Sequence, residues 1–128
     1  MKNYSKRDAV RHFREKLKFT TGPAELSRMI KDHEEVNIID VRRPEDYAKS
    51  HIPGAVNLPR EQWPTLAGLN PNRLNAVYCY SQQCHLATEA CLEFARHGFP
   101  VLELEGGFQT WQEHDLEVEG EEALRKAA

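Results

Sequence analysis

The 128 residues predict a single α/β domain in which a parallel sheet is covered by helices on both faces. Three observations carry this reading. Short apolar runs of strand length alternate with stretches whose apolar residues recur at helical spacing. Glycine and proline fall between these segments, where connections belong. Two of the apolar runs end in reactive residues, Asp40 and Cys79, and strands of such sheets carry their ligand sites at their carboxyl ends.

The elements follow in order. Residues 4–17 place Tyr4, Val10, Phe13 and Leu17 at loosely helical spacing, which predicts an additional helix docked on the domain. Thr21-Gly22-Pro23 is a helix start, and Leu26, Met29 and Ile30 repeat as a buried helical face. Val36 to Val41 is a buried strand ending in charge. Pro44 opens a short helical turn that holds Tyr47. Ile52-Pro53-Gly54 is a turn, Ala55 to Leu58 a short strand, and Gln62 to Leu66 one helical turn before the connection Gly68 to Asn72. Ala76 to Cys79 is the next buried strand. Leu86 to His97 is a helix with Ala87, Ala90, Cys91, Phe94 and Ala95 on one face, and Gly98 sits where a left-handed terminal residue belongs. Val101 to Leu104 is another strand, and Gly106-Gly107 precedes a last helix with Phe108 and Trp111. No internal repeat or low-complexity tract interrupts this order.

Composition narrows the function classes. With 40% hydrophobic and 29% charged residues the chain is expected to fold as a globule. No apolar run approaches the roughly 20 residues of a membrane span. The net charge of −3 argues against a dedicated nucleic-acid binder. Residues 1–18 carry seven bases against two acids, and residues 101–128 eight acids against two bases. A basic arm for an acidic partner is one reading; two solvated ends of opposite charge is the favoured one. The start lacks the apolar stretch of a secretory signal. Three cysteines, Cys79, Cys84 and Cys91, are too few and too clustered for a disulfide framework, so a reducing cytoplasm is the expected compartment.

The chemistry concentrates in AVYCYSQQCHLATEA. A cysteine at the end of a buried strand is followed by a short polar loop and a helix start. Loop N–H groups and the free N–H groups of the first helical turn can converge on one anion. Such a setting lowers a thiol pKa from its free value of about 8.5. A cysteine without this loop would read as a small core residue.

IIDVRRPEDYAKSHIPGAVNLP resembles the first signature of the rhodanese (sulfurtransferase) family, and AVYCYSQQCHLATEACLEFARHGFPVLELEGGFQTW resembles its active-site loop, following helix, last strand and Gly-Gly-to-Trp segment. The resemblance covers about residues 19–115. It implies a five-stranded parallel sheet, with 1–18 a basic N-terminal helical extension, 19–115 the rhodanese-like domain and 116–128 an acidic C-terminal tail or helix.

It also implies a persulfide enzyme in which Cys79 is the catalytic nucleophile. The donor would bind in the cradle of Tyr80, Ser81, Gln82, Gln83, Cys84 and His85. Asp40 and Arg42 match the family's Asp-Val-Arg and are supporting residues. Asp40 is expected to hold the loop by accepting N–H bonds, and Arg42 to supply charge or pair with Glu45 or Asp46. His51 in the HIPGA turn is expected to hydrogen-bond across its loop; Trp111 is expected in the core. The implied partners are a small sulfur donor such as thiosulfate and a thiol or cyanide acceptor, or a protein donor or acceptor, with no nucleic acid, no membrane, no cofactor and no metal.

The loop departs from the family pattern. The family has a base after the cysteine, a glycine in mid-loop and an arginine near its end; here those positions hold Tyr80, Gln82 and Cys84. Only His85 remains as a nearby basic side chain. Thiosulfate is a dianion, so weak thiosulfate turnover is expected, with a protein or low-molecular-weight persulfide as donor instead. Gln82 for glycine also changes the backbone freedom available to the loop. Cys84 reads either as a resolving thiol that closes a disulfide with Cys79 or as a small residue at a helix start. Cys91 is expected buried and inert. Zinc is disfavoured because Cys79, Cys84 and His85 have no second ligand pair. Phosphatase chemistry is disfavoured because position 85 is His where a phosphate-binding arginine is needed. The alternative function is a non-catalytic binding or redox-sensing module that uses a Cys79–Cys84 disulfide.

Overall fold

The computed structural model describes residues 3–123; the outermost residues of the two charged terminal segments, 1–2 and 124–128, lie outside them. Among the described residues the elements follow in the order α1 (Lys6–Phe19), β1 (Thr20–Thr21), α2 (Pro23–Lys31), β2 (Val36–Asp40), α3 (Pro44–Lys49), β3 (Val56–Asn57), a 3-10 helix (Arg60–Thr65), β4 (Leu74–Tyr78), α4 (Leu86–Arg96), β5 (Val101–Leu104) and α5 (Gly107–Glu113). The sheet has the order β1-β5-β4-β2-β3, and every pairing is parallel. The α/β class and the five-stranded parallel sheet are thus as expected.

Period-two alternation divides the core. Ile38 of β2, Ala76 and Tyr78 of β4, and Leu102 and Leu104 of β5 face one side, where Leu26 of α2 and Phe108 and Trp111 of α5 cover them. Ile39 and Val77 face the other side with Val41 and Cys79, against Ala87, Ala90 and Phe94 of α4 and Trp63 of the 3-10 helix. The local signals act as read. Pro23 and Pro44 each occupy the first turn of a helix. Gly98 has a φ of +87° after α4.

Three features differ from the expectation. Thr21, read as part of a helix start, instead joins Thr20 in the edge strand β1 against Glu103 and Leu104. Two polar threonines carry no period-two pattern, so nothing marks them locally. Helix α1 forms but does not dock: none of its residues is buried, and Phe13 is 59% and Leu17 82% exposed. Finally, Leu116 and Val118 pack on the α2/α5 side of the core, and Glu119 bridges His51 through two backbone hydrogen bonds of 2.8 and 2.9 Å.

Candidate active site

Strand β4 is the middle strand of the sheet, and Cys79 is the first residue past its end. The register aligns Asp40 with Tyr78, which brings Asp40 and Cys79 to one carboxyl edge across 39 positions of sequence. Cys79 is 1% exposed and joined by a disulfide to Cys84, with the two Cα atoms 6.7 Å apart. The intervening residues turn back on themselves through a 3.1 Å bond from the Cys84 N–H to the Ser81 carbonyl. His85 then serves as the N-cap residue of α4, without a side-chain cap. Among the described residues no oxygen accepts the N–H groups of Tyr80, Ser81, Gln82, Gln83 or His85; of the expected cradle only the Cys84 N–H is committed.

Helix α5 holds this loop from beneath. The N–H groups of Phe108 and Gln109 donate to the carbonyls of Cys79 and Tyr80, both at 2.9 Å. These donors are orphans of a helix start, so the loop carbonyls satisfy them. The approach is close. A Cβ on Gly107, whose φ is +61°, would lie 2.8 Å from the Ser81 nitrogen and 2.9 Å from the Cys79 oxygen. Gln82 accepts the Gly106 N–H at 2.6 Å through Oε1 and is not among the residues of positive φ. The loop therefore needs no glycine at position 82, and the glutamine ties it to α5. On its other side the Tyr80 hydroxyl donates to Asp46 Oδ2 at 2.5 Å and accepts the Arg43 N–H at 3.2 Å. Burial, and then this bond to Asp46, raises the Tyr80 pKa above its ordinary value.

Asp40 and Arg42 support the edge, though not as expected. The Asp40 carboxylate accepts no N–H from the cysteine loop. It receives the Arg42 backbone N–H at 2.9 Å, the guanidinium through Nε at 3.1 and 3.2 Å and Nη2 at 2.8 Å, and the Tyr78 hydroxyl at 2.6 Å. Arg42 accordingly pairs with Asp40 rather than with Glu45 or Asp46, and its Nη2 also donates to the Ser50 carbonyl at 2.6 Å. The physical reason is burial: both side chains are nearly inaccessible, where each charge needs a direct partner. Burial pulls the Arg42 pKa down, but the bond and charge of Asp40 outweigh it and hold it above its ordinary value. The Phe108 ring lies 4.2 Å from the guanidinium. Tyr78 is the residue that the pattern missed. Its hydroxyl accepts the Ile52 N–H at 3.1 Å while donating to Asp40, and burial, then Asp40, raises its pKa well above the ordinary value. A polar tip on an otherwise apolar strand, AVYC, is the signal that could have found it.

A cavity of about 350 Å³ opens beside the start of α4, lined by Val41, Arg43, Pro59, Arg60, Glu61, His85, Leu86 and Glu89. It brings two arginines near the loop from neighbouring segments. Arg60 is paired with Glu89, and Arg43 stands 3.7 Å from Glu45. His51 turns its Nδ1 to the Tyr47 carbonyl at 2.7 Å, one helical turn back rather than across its loop, and stacks on the Tyr47 ring. Trp111 is in the core, as expected. Cys91 is half-buried rather than buried. Burial, and then the charge of Glu103, push its thiol up to about 12, which leaves it unreactive near neutrality.

Comparison with known proteins agrees with this geometry. Residues 22–114 match the family of the rhodanese-like domain. The chain is 36% identical over 97 residues to an HTH-type transcriptional regulator of Mycobacterium tuberculosis, covering 75% of this chain but only 42% of that protein. It is 32% identical over 95 residues to a sulfurtransferase of Allochromatium vinosum, covering 73% of this chain and 87% of the relative. A Bacillus halodurans protein of known structure superposes with a TM-score of 0.82 at 36% identity, over 93% of this chain and 88% of the other. Sequence, sheet order and the cysteine loop past the middle strand lead to one assignment: the chain belongs to the rhodanese-like domain family.

Proposed function

We propose that the protein is a sulfurtransferase that carries sulfane sulfur as a persulfide on Cys79. The observation that carries this reading is the placement of Cys79 at the carboxyl end of the middle strand, followed by a loop whose N–H groups are largely uncommitted. With the disulfide reduced, the Cys79 thiolate attacks the outer sulfur of a donor. With thiosulfate the S–S bond breaks, sulfite leaves with the electron pair, and Cys79–S–S⁻ remains. An acceptor then takes the outer sulfur: cyanide becomes thiocyanate, or a thiol becomes a persulfide, and the Cys79 thiolate returns. Two half-reactions through a covalent intermediate give ping-pong kinetics. The fixed N–H dipoles of Tyr80, Ser81, Gln82, Gln83 and His85 stabilise thiolate and persulfide without reorganisation.

Donor choice follows from charge. The loop offers no arginine or lysine, and Arg60 in the adjoining cavity is engaged by Glu89. A dianion gains little there, so thiosulfate is a poor donor and a low-molecular-weight or protein persulfide a better one. Intact mass spectrometry of the reduced protein after donor treatment tests the reading. One added sulfur is expected on Cys84→Ser, which keeps Cys79 but cannot close the disulfide; cyanide removes it, and Cys79→Ser gains none. Sulfur transfer by Cys79→Ser would sink the assignment. The second reading, a redox module without sulfur transfer, is favoured by the disulfide itself. It predicts ready oxidation of the wild type, with no sulfite released from thiosulfate and no sulfur gain by Cys84→Ser from any donor.

A further inference from the structure

The disulfide shows that the Cys84 sulfur reaches bonding distance of the inner sulfur that a persulfide on Cys79 would carry. Cys79 itself is 1% exposed, whereas Cys84 is half-buried. An external thiol attacking that inner sulfur must enter the core beside Val41, Ala87 and Val77; Cys84 is already there. We infer that Cys84 is a built-in acceptor, and that the protein reduces sulfane sulfur to sulfide. This rests on the reading of Cys79 as the persulfide carrier.

The step balances within the chain. The Cys84 thiolate attacks the Cys79 Sγ, the Cys79–Cys84 bond forms, and the bond from Cys79 Sγ to the outer sulfur breaks. The outer sulfur takes up the proton that the Cys84 thiol gave up on becoming the thiolate, and leaves with the electron pair as hydrosulfide, HS⁻. The sulfane sulfur is reduced by two electrons, and the two cysteines are oxidised to the disulfide that the structure contains. A dithiol reductant then exchanges with that disulfide, becoming oxidised itself and restoring both cysteines. Position favours Cys84 as the attacking group. It immediately precedes His85, the N-cap of the 11-residue α4, so the positive end of that helix supports a thiolate there. Attack within one loop also competes from an effective concentration far above that of free thiols. Cys91, with its thiol pushed up to about 12, is no competitor.

The experiment uses the full chain, reduced and freed of reductant under anaerobic conditions, and Cys84→Ser beside it. Each is given thiosulfate in excess, or in a second arm a low-molecular-weight organic persulfide. In the thiosulfate arm, sulfite reports sulfur loading and trapped sulfide reports its release. The wild type is expected to release one sulfide per chain with no added thiol and to end about 2 Da lighter than its reduced form, as the disulfide. Cys84→Ser is expected to end about 32 Da heavier, with the sulfur on Cys79, and to release sulfide only when a thiol is added. A wild type that stays loaded on Cys79, with sulfite released and no sulfide, overturns the role of Cys84 and leaves the Cys79 reading standing. No sulfur on Cys79 of Cys84→Ser from either donor removes both.

Discussion

Replacing Gly107 by alanine is expected to damage the cysteine loop from a distance, and the size of the effect can be worked out. Gly107 has a φ of +61°, where a residue with a Cβ costs about 1–2 kcal/mol. The added carbon would also lie 2.8 Å from the Ser81 nitrogen and 2.9 Å from both the Cys79 oxygen and the Tyr80 carbonyl carbon. Ordinary contact begins near 3.4 Å, so backbone on one side must yield by about 0.6 Å. Forced overpacking of this kind costs about 1–3 kcal/mol more, for a total of about 2–5 kcal/mol. Gly98 supplies a matched control. Its φ is +87°, but a Cβ there meets nothing within 4 Å, so Gly98→Ala should show the conformational cost alone, about 1–2 kcal/mol. Urea unfolding of both variants at equal m-value gives the difference, and sulfur loading of Cys79 gives its consequence for the loop. Gly107→Ala should be the less stable and load more slowly. If the two variants agree within about 0.5 kcal/mol and both load like the wild type, the claim that α5 positions the loop through this contact is refuted.

Asp40→Ala strips the partner from a buried guanidinium and from the Tyr78 hydroxyl, and should lower unfolding free energy by about 3–5 kcal/mol; a urea midpoint close to wild type would show that Arg42 finds other compensation. Stability should fall on the alkaline side. Tyr78 and Cys91 both have folded-state pKa values raised above their ordinary 10.0 and 9.0, so their contributions are complete below those values and are lost as pH rises toward the folded ones. Unfolding midpoints from about pH 8 to about pH 11 should therefore decline, and less steeply in Tyr78→Phe and Cys91→Ala. Removing residues 1–18 should change stability by less than about 1 kcal/mol, because α1 buries no side chain; a loss above about 2 kcal/mol in urea would place the helix in the core.

The legibility of the chain in its sequence varied with the kind of interaction. Ile38 and Ile39, or Ala76 and Val77, announce a strand buried on both faces because every neighbour is apolar. Leu26, Met29 and Ile30 announce a helix through spacing alone. The position of Cys79 followed from the same patterns, since a strand end in a parallel sheet fixes which edge it joins. Interactions between distant polar groups left no local trace. Asp40 could as easily have served the cysteine loop as Arg42 and Tyr78, and only the register that sets Asp40 beside Tyr78 decides it. Gln82 looked like a departure that endangered the loop, yet its side-chain oxygen receives the Gly106 N–H, a partner 24 positions away. Helix α1 illustrates the opposite error. Its apolar spacing was real, but spacing does not say whether a surface is covered.

The short reach of the Cys79–Cys84 bond has a thermodynamic consequence. Its two ends are five positions apart, so it restricts little of the unfolded chain and accounts for about 2 kcal/mol in the loop-entropy description. Both ends lie in one loop past β4, and the sheet and its two cores are held by other contacts. Opening the bond therefore leaves most of the fold's cohesion intact, and the loop can cycle between oxidised and reduced forms without the domain passing through an unfolded state. At the usual unfolding entropy per residue, about 2 kcal/mol corresponds to about 7 °C of melting temperature in 128 residues, so reduction should appear as a downward shift of the transition and not as loss of the fold. Thiol counting, which registers two cysteines gained or lost, reads the redox state directly.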